Sequence, residues 1–226
     1  MAKITIPNEM FGRKLGEDLI EKVLSKKDPQ TNTNTIIQPD IKDYIYVSSI
    51  NLYISKEKTL HDNDWDDTNK KLKDQGLRMP TITEFLEFIK HIKSNSNNKE
   101  YGLILKEITE LRSPWRSEWL DAYFEQENNQ FYIYTNNKTI KQPLKSCLME
   151  DKTPGIDFND LISNSTKQGL PKSNVHGGNL YYWHPRNGTV AGFVADSIGA
   201  FLGCGRNPQF SSSALGVRSV REAPKV

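Results

Sequence analysis

The segment HDNDWDD carries the densest group of side chains that could bind a metal. Its carboxylates Asp62, Asp64 and Asp66 alternate as calcium ligands do in a helix-loop-helix site. Such a site also needs glycine at its sixth position and glutamate at its twelfth, where this chain has aspartate and lysine. The segment instead favours an acidic helix N-terminus, with Asp64 capping a helix that begins at Trp65.

Cysteine and histidine, which supply many nucleophiles and metal ligands, are few and scattered. The two cysteines, Cys147 and Cys204, predict neither a disulfide framework nor a metal-ligand spacing. None of the four histidines has a second histidine at ligand spacing or a partner typical of nucleophilic catalysis. We therefore expect no catalytic residues, no metal and no cofactor.

The run Tyr181-Tyr182-Trp183 is a better candidate for ligand contact than for catalysis. Such rings can stack on a base or a sugar, and they pack equally well at the edge of a sheet. The run lies in a segment of unusual composition, because residues 173–221 contain no lysine, glutamate or methionine and a single glutamine. Eight of the fourteen glycines also lie there, which predicts short strands and ordered loops rather than helix.

The overall composition is that of a soluble globular protein with no marked charge. The 226 residues are 36% apolar and 26% charged with a formal net charge of +2, which indicates neither a nucleic-acid partner nor an anionic membrane. No run approaches the ~18 apolar residues of a membrane span. The start, MAKITIPNEMFGRK, lacks the apolar stretch of a secretory signal. We expect synthesis in the cytosol, with display on a virion or a cell surface by assembly left open.

Two helices are predicted in the first half of the chain. The first follows Asp64 and ends near Gly76, which can adopt the left-handed conformation found after many helices. In the second, Thr81 and Glu84 have the spacing of a capping box, and four apolar side chains share one face: Phe85, Phe88, Ile89 and Ile92. Residues 1–40 are predicted to form a separate extension of helix and loop.

Strands are predicted around these helices. DYIYVSSINLYISK alternates well enough for a strand or hairpin, and SPWRSEWLDAYF and NQFYIYTNN are typical of strands joined by a polar turn. The pattern is weak over residues 138–172, where PGIDFNDLISNSTKQGLP is interpreted as a long surface insertion. Residues 41–226 are predicted to form one α+β domain.

Four blocks in this order resemble the formylglycine-generating-enzyme branch of the C-type lectin fold. GLRMPTITEF is similar to its G-x-R-L-P-T-x-x-E-W motif, and RSEWLD to its next strand. Gly177-Gly178 resembles its G-G-S-W turn, and LGVR at residues 215–218 its final L-G-F-R strand. The resemblance implies two helices, small antiparallel sheets and a loop-rich C-terminal region. It further implies paired scaffold roles for three charged residues, Arg78, Glu84 and Arg218.

The catalytic branches of this family do not match the chain. Formylglycine-generating enzymes bind copper through a close cysteine pair near the C-terminus, where this chain has Cys204 without a neighbouring cysteine. The sulfoxide-synthase branch holds iron with a histidine cluster, which the sequence lacks. An oxidising enzyme with an atypical metal site is therefore the alternative to our expectation, and a fixed-specificity adhesin or tail-fibre tip is a second alternative.

The composition of residues 173–221 resembles that of the variable proteins of diversity-generating retroelements. In that group a reverse transcriptase rewrites adenines at the 3′ end of the gene, mostly in AAY codons. The resulting codons cannot encode Lys, Glu, Gln, Met or Trp, which is close to the observed depletion. The family pattern N-P-D-N-R-N-N-N-L-G-F-R aligns with NPQFSSSALGVR at 207–218, with Gln209 in place of the aspartate. A glycine-rich core that is naturally poor in lysine would explain part of the depletion.

This resemblance implies a surface of variable residues on a constant scaffold. Its ligand is expected to be a protein or another cell-surface molecule, bound without catalysis, nucleic acid or membrane insertion. Trp183 is expected either within that surface or as a buried support beneath it. The residues expected to vary and to bind are Tyr181, Tyr182, His184, Arg186, Asn187, Asp196, Ser197, Cys204, Arg206, Asn207, Phe210, Ser212, Ser213 and Ala214.

Overall fold

A computed structural model of the chain describes residues 40–224. Within them, four α-helices and two β-sheets form a mixed α+β architecture, which confirms the predicted class. The helix and loop predicted over residues 1–40 lie outside the described residues, apart from Asp40. The proposed domain boundary at residue 41 stays a prediction.

The helices begin where their capping residues predict. Asp64 accepts a hydrogen bond from the backbone N–H of Asp67 at 2.8 Å, and Gly76 has a φ of 69° just beyond the first helix. Thr81 and Glu84 form the reciprocal bonds of a capping box. The four helices are α1 (Trp65–Asp74), α2 (Ile82–Ser94), α3 (Lys99–Thr109) and α4 (Phe158–Asn164). Helices α3 and α4 were not predicted.

A small antiparallel sheet joins the two ends of the described chain. The predicted hairpin forms β1 (Tyr44–Val47) and β2 (Leu52–Ser55). The last strand, β11 (Val220–Glu222), pairs with the other edge of β2. The order is β1-β2-β11, so the C-terminal end of the chain is anchored to the first strands.

The second sheet is larger than predicted and is not wholly antiparallel. Seven strands follow one another in the order β5-β4-β3-β8-β9-β7-β6, and the short β10 pairs with β3. The β7–β9 and β10–β3 pairs are parallel, which corrects the expectation of small antiparallel sheets. The strands are β3 (Arg116–Glu127), β4 (Gln130–Thr135), β5 (Ile140–Pro143), β6 (Lys152–Ile156), β7 (Leu180–Trp183), β8 (Thr189–Ala195), β9 (Ala200–Arg206) and β10 (Leu215–Gly216).

Helix α2 packs its predicted apolar face against the large sheet. The Phe85 ring lies 5.4 Å from that of Phe193 on β8, centroid to centroid. Ile104 and Ile108 of α3 join the same apolar core. These contacts explain why α2 matched its prediction, since one continuous apolar face was available to be buried.

The interpretation of PGIDFNDLISNSTKQGLP as a surface insertion is wrong. Strand β6 pairs with β7 at the edge of the large sheet, and α4 follows it directly. Ile156, Leu161 and Leu170 are at most 1% exposed, so the segment contributes to the core. A five-residue strand and a two-turn helix are too short to show clear periodicity, which is why the pattern appeared weak.

The predicted scaffold charges are paired. Arg78 donates two hydrogen bonds to the Glu84 carboxylate, both at 2.7 Å. Arg218 is fully buried and donates to Glu118 at 3.1 Å and to Glu107 at 2.5 Å. The bonds of Arg218 connect the C-terminal segment to β3 and α3, and the paired roles of these charged residues are those that the resemblance implied.

A buried carboxyl group in β3 should make stability depend on pH. Asp121 is 2% exposed and accepts hydrogen bonds from the backbone N–H groups of Asn136 and Asn137, at 2.7 and 3.4 Å. Burial nevertheless raises its pKa from 3.8 to about 6. Because this folded-state pKa is the higher one, the folded protein binds the proton more tightly than the unfolded chain does.

Acidification from pH 7 to pH 5 should therefore stabilise the fold through Asp121 by about 1 kcal/mol. The Asp121→Asn variant should lack this contribution. Urea unfolding of both proteins at pH 7 and pH 5 measures this contribution. Subtracting the pH dependence of the variant from that of the wild type cancels the effect of groups that titrate in both proteins. Equal pH dependence in the two proteins would contradict the assignment.

Candidate ligand-binding surface

The strands β7, β8 and β9 have one face against the core, and β8 and β9 carry glycines at the centre of the other face. Side chains alternate between the faces of a sheet, and Phe193 and Leu202 point into the core. On the other face Gly192 pairs directly with Gly203 across the two strands. This leaves a stretch of bare backbone on which other side chains can lie.

Arg206, one of the predicted binding residues, lies across this glycine floor. A Cβ placed on Gly192 would be 2.9 Å from Cδ of Arg206, and one on Gly203 would be 3.8 Å from its Cγ. The ring of Phe201 also lies 3.5 Å from that position on Gly203. The two glycines therefore make room for the stem of Arg206.

The guanidinium of Arg206 is surrounded by aromatic rings. Its central carbon is 5.8, 5.6 and 5.6 Å from the ring centroids of Trp115, Trp119 and Phe210. Trp115 and Phe210 also contact each other, with ring centroids 6.2 Å apart. Burial lowers the pKa of Arg206 to about 10, so the group remains a cation at neutral pH.

A second polar set lies beside this arginine and is organised by Asp151. The Asp151 carboxylate faces Nδ1 of His184 at 3.0 Å and accepts a hydrogen bond from Arg186 at 2.7 Å. The stem of Arg186 passes over Gly205, whose Cβ position would be 3.3 Å from Nε of Arg186. Since Gly205 precedes Arg206, the two sets are neighbours along β9. Asp151 lies outside the segment 173–221 and contacts two residues that were predicted to vary, His184 and Arg186.

The loop 207–214 is held in place through its backbone. The carbonyl oxygen of Pro208 accepts from the N–H of Trp65 at 2.9 Å, and that of Ser212 from Asp62 at 3.2 Å. The Ala214 carbonyl accepts from the N–H of Ser117 at 3.0 Å. His61 and Lys58 contact the carbonyls of residues 213 and 214 in the same way. Bonds of this kind do not depend on which side chains the loop carries. Within the loop, however, the side chains of Asn207 and Ser212 accept hydrogen bonds from the backbone N–H groups of Gln209 and Ala214, at 3.0 and 3.3 Å.

Several predicted side chains of this region are open to solvent. Phe210 and Trp183 are each 41% exposed, which places Trp183 within the surface rather than beneath it. The exposed set also includes Arg186, Asn187, Ser197, Asn207 and Ser213. The half-buried set is Tyr181, His184, Asp196, Arg206, Ser212 and Ala214.

Tyr181 lies at a cleft and not in the arginine cluster. Its ring lies over Gly199, whose Cβ position would be 3.0 Å from the ring. Tyr181, Leu111 and Ile198 line a cleft of about 360 Å³. Leu111 and Ile198 are 61% and 62% exposed, so this part of the surface is apolar.

Two of the predicted binding residues are buried and cannot contact a ligand at the surface. Tyr182 is 1% exposed and donates a hydrogen bond to the carbonyl of Leu148 at 2.9 Å, and Cys204 is fully buried. Burial raises the pKa of both groups well above the ordinary values. Strand alternation explains the error, because Tyr182 and Cys204 occupy the core-facing positions of β7 and β9.

Two other predicted residues use their side chains to shape turns. Asp196 accepts hydrogen bonds from the backbone N–H groups of Ile198 and Gly199, at 2.8 and 3.2 Å. Asn187 accepts one from Gln126 at 2.9 Å. Substitution at either position would change the backbone as well as the surface, so we regard both as weaker candidates for variation.

Three contributors to the surface were not predicted: Trp115, Phe201 and Asp151. Trp115 precedes β3 and was assigned only to a predicted strand, and Asp151 lies in the segment of weak pattern. Trp115 contacts Arg206 and Phe210, which are 91 and 95 positions further along the chain. Asp151 contacts His184, which is 33 positions further along. The local sequence does not show contacts between residues so far apart. Phe201 could have been found from the alternation of β9 alone.

Comparison with protein-family models, with curated proteins and with solved structures finds no match to this chain.

The described residues contain neither a cluster of metal-ligating side chains nor a helix that could span a membrane. Within residues 40–224 no three histidine, cysteine, aspartate or glutamate side chains converge as metal ligands. Over the same residues no helix is both long enough and apolar enough to cross a bilayer.

Proposed function

We propose that this chain is a ligand-binding protein with a C-type lectin fold, whose C-terminal surface is diversified by a retroelement. The exposed face of β7–β9 and the loop 207–214 would form the binding surface. A rigid backbone that carries exchangeable side chains loses little conformational entropy when it binds. The aromatic side chains would contribute large contact areas at low entropic cost, as they do in antibody paratopes.

The observation that carries this proposal is the anchoring of the loop 207–214 by its carbonyl groups. Pro208, Ser212 and Ala214 bind the body of the protein through main-chain oxygens, which every residue type supplies. The side chains of Phe210 and Ser213 are meanwhile exposed. These main-chain anchors remain when exposed side chains such as Phe210 and Ser213 change.

The DNA beside the gene tests diversification. A near-copy of the 3′ end that differs at adenines, next to a reverse-transcriptase gene, is the expected finding. The differences should fall in codons for exposed residues such as Phe210 and Ser213, and not in those for Leu215 or Trp119. Absence of any such copy would overturn the retroelement part of the proposal and leave a fixed-specificity binding protein.

Loop tolerance can be tested on the protein itself. Phe210→His and Ser213→Tyr should each change the free energy of unfolding by less than about 1 kcal/mol, because both side chains are exposed. Leu215→Ser, at a position with no exposure, should cost about 2–5 kcal/mol. Urea unfolding gives all three values. A large loss in the first two variants would mean that the loop depends on its side chains.

The alternative of an oxidising enzyme receives less support from the geometry. Cys147 and Cys204 belong to one apolar core, in which burial raises the pKa of both thiols. A thiol with a raised pKa is a poor nucleophile, since nucleophilic attack requires the thiolate. The polar side chains of Asp151, Arg186 and Arg206 lie instead at or near the surface, where contact with a partner is possible.

A further inference from the structure

Arg206 differs from the arginines that hold the scaffold together. Arg78, Arg186 and Arg218 each lie within 3.1 Å of a carboxylate oxygen. Among residues 40–224, Arg206 has no hydrogen-bond or ion-pair partner. A half-buried cation without a counter-ion has lost part of its hydration and received no compensating charge.

The open part of this guanidinium is its outer edge. Nε is fully buried and has no hydrogen-bond partner, whereas Nη1 and Nη2 are not fully buried. Trp115, Trp119 and Phe210 fix the group from the sides, at 5.6 to 5.8 Å from its central carbon. Nη1 and Nη2 of this preorganised arginine are therefore the donors that a ligand could reach.

We propose that Arg206 binds a carboxylate of the ligand, carried on an apolar or aromatic stem that packs against Trp115 and Phe210. The inference rests on the proposed ligand-binding function and identifies the chemical group that the surface of this chain would bind. For a protein ligand the group is an aspartate or glutamate side chain, or a chain terminus, next to an apolar residue.

A carboxylate fits this site better than a phosphate does. The site offers one unpaired positive charge, because the neighbouring Arg186 is already held by Asp151 at 2.7 Å. Lys58, a cation that contacts the loop 207–214, already donates hydrogen bonds to the carbonyls of Ser117 and Ala214, at 3.4 and 3.3 Å. A single guanidinium in apolar surroundings matches a planar monoanion such as a carboxylate. A doubly charged, strongly hydrated phosphate would lack hydrogen-bond partners for its remaining oxygens.

Small probes can test the site without knowledge of the natural ligand. The probes are 3-phenylpropionate, its uncharged analogue 3-phenylpropanol, and inorganic phosphate, each titrated into the full chain with ¹⁵N-labelled tryptophan indoles observed by NMR. We expect 3-phenylpropionate to shift the Trp115 indole signal and to bind at least about ten-fold more tightly than either other probe. Phosphate binding as tightly as 3-phenylpropionate would overturn the carboxylate assignment.

Three variants locate the binding. Arg206→Gln should weaken 3-phenylpropionate binding by about ten-fold or more, and Arg206→Lys, which keeps the charge but not the fork, by less. Lys90→Gln, a control that removes an exposed cation of α2 outside the binding surface, should bind as the wild type does. If Arg206→Gln fails to fold, the comparison of Arg206→Lys with Lys90→Gln decides. Equal affinity in all variants would refute a role for Arg206.

The test of carboxylate binding and the test of diversification can succeed or fail independently. Binding that depends on Arg206, in a gene with no template copy, would support the ligand chemistry and refute the retroelement. A template copy together with no carboxylate binding would do the reverse.

Discussion

Replacement of Glu118 by glutamine should destabilise the protein by about 3 kcal/mol or more, because it leaves two buried arginines short of a counter-charge. Glu118 is completely buried in β3, between Arg116 and Arg218, which are themselves at most 2% exposed. Its Oε1 lies 3.1 Å from Nε of Arg218 and also accepts a hydrogen bond from Arg116. Glutamine has almost the same shape, so the loss would report charge and not volume.

The pKa of Glu118 points in the same direction. Burial by itself would raise that pKa, yet the charges of Arg218 and Arg116 hold it below its ordinary value. A carboxyl group whose folded pKa is depressed stabilises the fold above its unfolded pKa, and the stabilisation is lost as the pH falls through the folded value. The cost of Glu118→Gln should therefore be full at neutral pH and shrink in acid.

An exposed pair provides the control for this substitution. Glu127 bonds Lys141 at 2.6 Å, but their side chains are 44% and 40% exposed. Glu127→Gln should cost far less than Glu118→Gln, since solvent screens such exposed pairs. Free energies of unfolding in urea at neutral pH give both values. A loss at Glu118 no larger than the loss at Glu127 would show that the buried network contributes little to stability.

Gly178→Ala should also destabilise the fold strongly, by about 2–3 kcal/mol, whereas Gly177→Ala should be nearly neutral. A Cβ on Gly178 would lie 2.5 Å from Cα of Asp157 and 2.7 Å from the carbonyl oxygen of Ile156. Both are backbone atoms at the junction of β6 and α4, where Asp157 caps the helix. They can move only if the junction moves. A Cβ on Gly177 would have no neighbour within 4 Å.

Thermal unfolding of the two variants makes this comparison directly. A loss of 2–3 kcal/mol in a domain of this size corresponds to a fall of roughly 4–12 °C in Tm. The pair is closely matched, since the same methyl group is added at adjacent positions of one turn. Equal Tm values for Gly177→Ala and Gly178→Ala would contradict the close approach seen between Gly178 and Asp157.

The binding surface shows where sequence reasoning succeeded and where it did not. Composition marked residues 173–221 as unusual, and the structure places Arg206 and Phe210 of this segment in one cluster. Composition did not distinguish Tyr181 from Tyr182, although Tyr181 lies at a cleft and Tyr182 lies in the core. That distinction depends on the phase of strand β7, which the short run LYYW does not define. The role of Asp151 was not predicted, because it arises only when β6 is paired with β7.

What the sequence determined by itself was local. Asp64, Thr81 and Glu84 specify helix starts through bonds that reach only three residues, and the apolar face of α2 repeats often enough to be recognised. The tertiary structure alone decided the order of the large sheet, the parallel pairing of β7 with β9, and the aromatic surroundings of Arg206. Each of these depends on contacts between residues distant in the chain. Their energy comes from burial and from charge pairing, which no short segment of sequence records.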